Sequence, residues 1–293
     1  MDLGEVITAM VTPFSSNYDL DLDSCFNLMA YLIKNNSDGI LLSGTTGESP
    51  TLSDKEKIKL FEFGVKNFKD KVKIIAGTGS NDTRHSIELS KEAENVGVDA
   101  LLLVTPYYNK PTQFGLYKHF EAIAGEVKIP VILYNVPSRT SCNISSETCI
   151  ELSKINNICG VKEASGNFKQ ISEIIRGTDN NFLLYSGNDG DTLPILSLGG
   201  NGVISVASHV VGREIKKMIS YFKNGNNREA AKLHNYLLEI FYGIFIVTNP
   251  IPIKKSLNLK GIEVGPTRLP LTSMDDKQLE RLKKILLKYN IIN

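Results

Sequence analysis

The chain has 293 residues, 42% of them hydrophobic, enough for one large α/β domain or two smaller ones around a substantial core. Lys and Arg total 33 against 32 Asp and Glu, so no lobe is strongly basic and nucleic acid is not the expected partner. The longest apolar segment, residues 241–247, is far too short to cross a bilayer, so no membrane association is expected.

The first five residues lack the basic start and apolar stretch of a signal peptide, which points to a cytoplasmic protein. Short apolar runs then recur at 6–11, 39–42, 72–76, 100–104, 131–134, 158–161, 182–185 and 203–206. Each is nearly continuous in apolar residues, as in parallel strands covered on both faces. Helical stretches separate them. Ser53-Asp54-Lys55-Glu56 has capping-box spacing ahead of an amphipathic run to Phe68. Asn81 or Asp82 caps the next helix, which carries Ile87, Leu89 and Ala93 and ends near Gly97. Ser145 or Ser146 caps another through Leu152. Repeated βα units over this length predict an α/β fold, a (β/α)8 TIM barrel. The alternative is an open doubly wound sheet, weakened because no GxGxxG follows the first strand. The strand signal stops after Asn224. Residues 228–247 and 275–289 read as helices, separated by Asn249-Pro250-Ile251-Pro252 and a Gly/Pro-rich stretch to Pro270. The expected division is a catalytic barrel over 1–224 and a C-terminal helical appendix over 225–293.

Barrel active sites gather at the C-terminal ends of strands, and the reactive residue types fall there. Gly44-Thr45-Thr46-Gly47-Glu48-Ser49 follows the second run; it reads as an anion-binding loop of N–H and hydroxyl groups or as an ordinary tight turn. Thr105-Pro106-Tyr107-Tyr108-Asn109 follows the fourth run. Tyr134-Asn135-Val136-Pro137-Ser138-Arg139-Thr140 closes the fifth and offers a phenol for proton transfer. Arg139 is either a fork for a carboxylate or a solvated loop residue. The sixth run, Ile158-Cys159-Gly160-Val161-Lys162-Glu163, places a lysine in an apolar strand. Burial disfavours its charged form, and a neutral amine attacks carbonyls. The alternative is a lysine snorkelling from a strand end. Strand alternation sets Lys162 opposite Glu163, which must not pair closely with it if the amine is to stay neutral.

Cys25, Cys142, Cys149 and Cys159 have no CxxC spacing, which fits a reduced protein without structural zinc. His85, His119, His209 and His234 are scattered and read as surface or helix-face residues, and Asp189-x-Asp191 alone is weak for a metal. No GxSxG elbow suggests a serine hydrolase. A pyridoxal phosphate enzyme would also use a lysine imine, but no segment offers its phosphate cradle. A non-catalytic barrel would form no imine at all.

From Thr8-Ala9-Met10-Val11-Thr12-Pro13-Phe14 to Arg268-Leu269-Pro270-Leu271 the chain resembles the dihydrodipicolinate synthase family. That family lies within the N-acetylneuraminate lyase superfamily of pyruvate-dependent class I aldolases. The motifs that carry the resemblance are Gly44-Thr45-Thr46-Gly47-Glu48, Tyr107-Tyr108, Tyr134 through Thr140 and Gly160-Val161-Lys162-Glu163. The resemblance implies a Schiff base between Lys162 and pyruvate, and condensation with L-aspartate 4-semialdehyde on the diaminopimelate route to lysine. It implies proton relay through Tyr134, Thr45 and Tyr108, the last reaching from a neighbouring subunit of a homotetramer built as a dimer of dimers. Thr46 and main chain near Thr45 would hold the pyruvate carboxylate, and Arg139 the semialdehyde carboxylate. Gly187 and Ile204 would line the site with main chain. No metal or organic cofactor is implied. N-acetylneuraminate lyase shares the lysine and tyrosine; Pro137-Ser138-Arg139-Thr140 favours the synthase. Some members bind inhibitory lysine near the positions of Ser49, Asn81 and Tyr107. Lys57 and His85 depart from their pattern, which implies weak or absent lysine feedback.

Overall fold

The computed structural model describes residues 2–293. Eight parallel strands close into a barrel in chain order. They are β1 (Val6–Ala9), β2 (Gly39–Leu42), β3 (Lys73–Gly77), β4 (Ala100–Val104), β5 (Val131–Asn135), β6 (Ile158–Glu163), β7 (Leu183–Ser186) and β8 (Gly202–Ser205). The helices around them are α1 (Leu22–Lys34), α2 (Asp54–Phe68), α3 (Thr83–Val96), α4 (Gln113–Gly125), the single turn α5 (Pro137–Thr140) and α6 (Ser146–Leu152). They continue with α7 (Phe168–Gly177), α8 (Thr192–Leu198) and α9 (Ser208–Lys223). The appendix comprises α10 (Asn227–Gly243), α11 (Ile251–Leu259) and α12 (Asp276–Lys288).

Local capping explains where the predicted helices start. Ser53 and Glu56 form the reciprocal capping box of α2, Asp82 caps α3 and Ser145 caps α6. Gly97 ends α3 with φ of 92°, a conformation that glycine adopts without Cβ strain. One helix escaped the sequence reading. α11 occupies part of the Pro-rich stretch after Asn249, because Pro252 stands in its first turn, where a missing N–H leaves no helical bond unmade.

Two apolar layers follow from strand alternation. Val131 and Leu133 of β5 face the helices, while Ile132 and Tyr134 face the barrel axis. The outer layer is continuous with α10, α11 and α12 through Phe241, Ile253 and Leu282, so appendix and barrel share one core. β6 departs from simple alternation. Val131 pairs with Ile158 but Ile132 pairs with Gly160, which leaves Cys159 as an extra residue in a bulge. Ile158 and Val161 both pack in the outer layer, three residues apart. The bulge shifts the phase by one residue, and this turns Lys162 inward. Gly160 permits it: a Cβ there would lie 2.4 Å from the Leu183 carbonyl oxygen.

Candidate active site

Lys162 pairs in register with Tyr134 on one side and Tyr185 on the other. It is 5% exposed, and its Nζ lies 4.3 Å from the centre of the Tyr134 ring. Burial lowers its pKa from 10.5 to about 7; the Asp189 carboxylate pulls upward and the Arg139 guanidinium pushes further down. Glu163 faces the other way, as strand alternation predicts. Its buried carboxylate accepts hydrogen bonds from Asn135 Nδ2 at 3.1 Å, Gln170 Nε2 at 3.1 Å and the Ser165 N–H at 2.7 Å. Those partners hold it away from Lys162.

A cavity of about 210 Å3 at the C-terminal mouth of the barrel brings Lys162 together with Thr45, Thr46, Tyr134, Arg139 and Gly187. Tyr134 is buried, which raises its phenol pKa; Arg139 and the Thr45 side chain act in the opposite direction. Gly187 donates its N–H to the Glu163 carbonyl at 2.7 Å, and a Cβ on it would come within 2.6 Å of the Ala164 Cβ. Ile204 sits in the interior apolar layer, and Val206, two residues on, reaches the cavity wall. Tyr108 is 89% exposed and stands outside the cavity, with φ of 74°, a strained conformation for a bulky side chain.

The anion loop is gripped from two sides. Thr12 Oγ1 donates to the Gly47 carbonyl at 2.6 Å, and Asn249 Nδ2 donates to Thr46 Oγ1 at 2.8 Å. Lys254 of α11 pairs with Glu48 at 2.7 Å, both side chains at most 2% exposed. Lys254 Nζ also stacks 4.2 Å from the centre of the Phe14 ring and donates to the Pro266 carbonyl at 2.7 Å. Neither Asn249 nor Lys254 stood out in the sequence.

Asp189 has a different use from the metal reading weighed for it. It is buried, accepts from Ser205 Oγ at 2.5 Å and from the N–H groups of Val206 and Ala207, and so fastens the loop after β8. Burial raises its pKa, against those hydrogen bonds and Lys162. Its place just past the end of β7 was the signal available. Among the described residues no group of three His, Cys, Asp or Glu side chains is placed to hold a metal ion. Two of the histidines read as surface or helix-face residues, His119 and His209, lie on helices α4 and α9 and are buried. His209 Nδ1 donates to the Val206 carbonyl while Nε2 accepts from the Val11 N–H, so a neutral ring is satisfied inside. Burial takes its pKa down to about 4. His119 is enclosed between α3 and α4 with Nδ1 against Thr83 Oγ1 at 2.9 Å.

A second cavity of about 650 Å3 shares Thr45, Tyr134 and Arg139 with the first and runs outward past Tyr107 to Lys57 and His85. There Asp54 lies 3.4 Å from Lys57 Nζ and 2.8 Å from His85 Nε2. The departure noted at these two positions thus includes a local carboxylate between the two side chains.

Together these groups suit imine chemistry. An amine whose pKa is lowered to about 7 is enclosed beside a phenol, and hydroxyls and a guanidinium stand ready for carboxylates.

Known proteins resemble this chain over nearly its whole length. The model of the dihydrodipicolinate synthetase family matches residues 2–289. The 4-hydroxy-tetrahydrodipicolinate synthase of Listeria monocytogenes is 53% identical over 288 residues, covering 98% of each chain. A dihydrodipicolinate synthase from Cyanidioschyzon merolae, solved with lysine bound, superposes with a TM-score of 0.97 at 45% identity over 99% of each chain. A chloride-inhibited dihydrodipicolinate synthase from Acinetobacter baumannii, solved with pyruvate, superposes with a TM-score of 0.96 at 37% identity over 99% of this chain and 100% of that one. Matches of this extent and identity establish that the chain belongs to the dihydrodipicolinate synthetase family.

Proposed function

We propose that this chain is a 4-hydroxy-tetrahydrodipicolinate synthase, a lyase of the class I aldolase type acting through an imine on Lys162. The observation that carries the site assignment is an enclosed lysine at the end of β6, with pKa lowered to about 7, in one cavity with Tyr134, Thr46 and Arg139. The neutral Lys162 amine adds to the keto carbon of pyruvate, and loss of water leaves an iminium. The iminium draws electrons from the methyl carbon, which releases a proton and becomes an enamine. The enamine carbon bonds to the aldehyde carbon of L-aspartate 4-semialdehyde. The amino group of that substrate then displaces Lys162 from the imine carbon, closing the ring and freeing the enzyme. Tyr134 relays protons in imine formation and ring closure, with Thr45 linking it to Tyr108. Thr46 and main chain near Thr45 hold the pyruvate carboxylate, Arg139 holds that of the semialdehyde, and main chain at Gly187 and Ile204 completes the wall. No organic cofactor enters, because the iminium is itself the electron sink.

Tyr108 serves the site of a neighbouring subunit in a homotetramer, a dimer of dimers. Its exposure and strained backbone support a side chain ordered by a partner. The appendix, 225–293, acts as a brace on the 1–224 catalytic barrel. A cytoplasmic setting accords with four free cysteines. No helix among the described residues is long and apolar enough to cross a membrane. Lysine feedback is weak or absent, because Lys57 brings an ammonium to this cavity, His85 supplies no carboxylate, and the Asp54 carboxylate is already engaged by both; inhibition by millimolar lysine at modest salt overturns this part.

The test is borohydride reduction in the presence of pyruvate, followed by peptide mapping. A pyruvate-derived mass on Lys162 is expected; active protein with unlabelled Lys162 overturns the reading. Turnover with aspartate 4-semialdehyde and not with N-acetylneuraminate separates the synthase from its sibling lyase.

A further inference from the structure

Two segments far apart in the chain build the wall assigned to the pyruvate carboxylate. Thr46 lies in the loop after β2, and Asn249 lies between α10 and α11, 203 residues on. Their side chains meet at 2.8 Å with Asn249 Nδ2 as donor. Asn249 is 5% exposed and Thr46 3%, and both line the cavity that contains Lys162.

The direction of this hydrogen bond matters. A hydroxyl has one hydrogen to give and lone pairs to accept with, whereas an amide nitrogen only donates. Thr46 is therefore the acceptor at this contact, and its own hydrogen remains uncommitted. Among the described residues no protein group takes that hydrogen. Asn249 Oδ1 is buried without a hydrogen-bond partner. A buried acceptor left unpaired asks for an explanation, and the service its nitrogen performs on Thr46 is one. The Glu48–Lys254 pair fixes the same loop two residues further on, so Thr46 and Asn249 are held in one rigid frame.

We propose that Asn249 is a positioning residue for the reaction: by donating to Thr46 Oγ1 it directs the Thr46 hydroxyl hydrogen into the cavity, toward a carboxylate oxygen of pyruvate. The inference rests on the reading of Thr46 as a carboxylate-binding group. Without the amide the hydroxyl rotates freely, and for part of the time it presents a lone pair to an anion. Asn249 itself touches neither reacting carbon. Its effect falls on capture of the keto acid and leaves the later aldehyde step alone.

The test is a double-mutant cycle on the full chain with T46V, N249A and T46V/N249A. The readouts are KM for pyruvate, KM for aspartate semialdehyde, and the rate at which borohydride traps the pyruvate imine. T46V is expected to raise the pyruvate KM roughly tenfold, as loss of a hydrogen bond to a charged group does. N249A is expected to raise it about threefold to tenfold with the semialdehyde KM unchanged, and the double variant to be no worse than T46V. Effects of N249A and T46V that multiply in the double variant, or an equal rise in both KM values for N249A, overturn the proposal. A pyruvate KM unmoved by T46V instead removes Thr46 from carboxylate binding, an outcome visible without any Asn249 variant. If N249A fails to fold, N249D, close in size, replaces it. Its carboxylate would accept the Thr46 hydrogen and repel the substrate, so a wild-type pyruvate KM in N249D also overturns the proposal.

Discussion

Replacing Lys162 by methionine should abolish imine formation and stabilise the protein at the same time. The ordinary lysine pKa of 10.5 falls to about 7 in the folded chain, which at ~1.4 kcal/mol per pH unit corresponds to about 5 kcal/mol. Below about pH 7 both folded and unfolded chains carry the ammonium, and the folded state bears the whole cost of burying it. Between about pH 7 and 10.5 the unfolded chain binds one more proton than the folded one, so stability rises with pH and the cost fades. K162M removes the charge in both states. Its advantage over wild type is therefore expected to approach about 5 kcal/mol near pH 6 and about 2 kcal/mol near pH 9. The chain has no tryptophan, so urea unfolding is best followed by far-UV circular dichroism, at one protein concentration because subunit association adds to stability. The wild-type rate of imine trapping with pyruvate should climb with a midpoint near the same pH of about 7. A K162M protein less stable than wild type near pH 6, or an advantage that does not shrink toward pH 9, refutes an enclosed and deprotonated lysine.

Arg139→Ala is expected to lower kcat/KM for aspartate semialdehyde by about 10–100-fold and to affect pyruvate less, since it removes a charged fork. Because Arg139 also holds the Lys162 pKa down, the midpoint of imine trapping should move up in the same variant; equal losses for both substrates and a fixed midpoint indicate a structural role. Tyr108→Phe should slow turnover while leaving imine trapping intact. Refolding it together with a Lys162→Ala chain should yield activity above either parent, because hybrid dimers carry one site with both native groups; no gain on mixing argues against a tyrosine that crosses between subunits. Lys254→Met strands the buried Glu48 carboxylate and should cost about 3–5 kcal/mol in urea unfolding. Adding Glu48→Gln should recover most of that loss, and a double variant as unstable as the single one shows that the pair is not the source.

Much of the site was legible because barrel geometry turns chain order into spatial order. Residues at strand ends converge at one mouth, so Thr45, Tyr134, Arg139 and Lys162 could be grouped by position, while the family resemblance chose between their alternative readings. Helix starts were legible for a local reason: Ser53 and Glu56 are three residues apart and satisfy each other's backbone. Asp189, Asn249 and Lys254 were not. Each is an ordinary polar residue whose meaning comes from a partner distant in sequence, such as Thr46 for Asn249 or Glu48 for Lys254.

Lys162 marks the boundary between the two kinds of information. Apolar periodicity, turn residues and caps determined eight strands in a barrel and a lysine within the sixth. Alternation counted from Ile158 cannot say which way that lysine faces, because the side-chain phase depends on pairing with β5. Only the tertiary structure inserts Cys159 as a bulge, seats Gly160 against Leu183 and turns the amine inward. Burial there follows from closure of the barrel, and the pKa of about 7 follows from burial together with the placement of Asp189 and Arg139. Desolvation is a property of what surrounds a group, and no local segment specifies its surroundings.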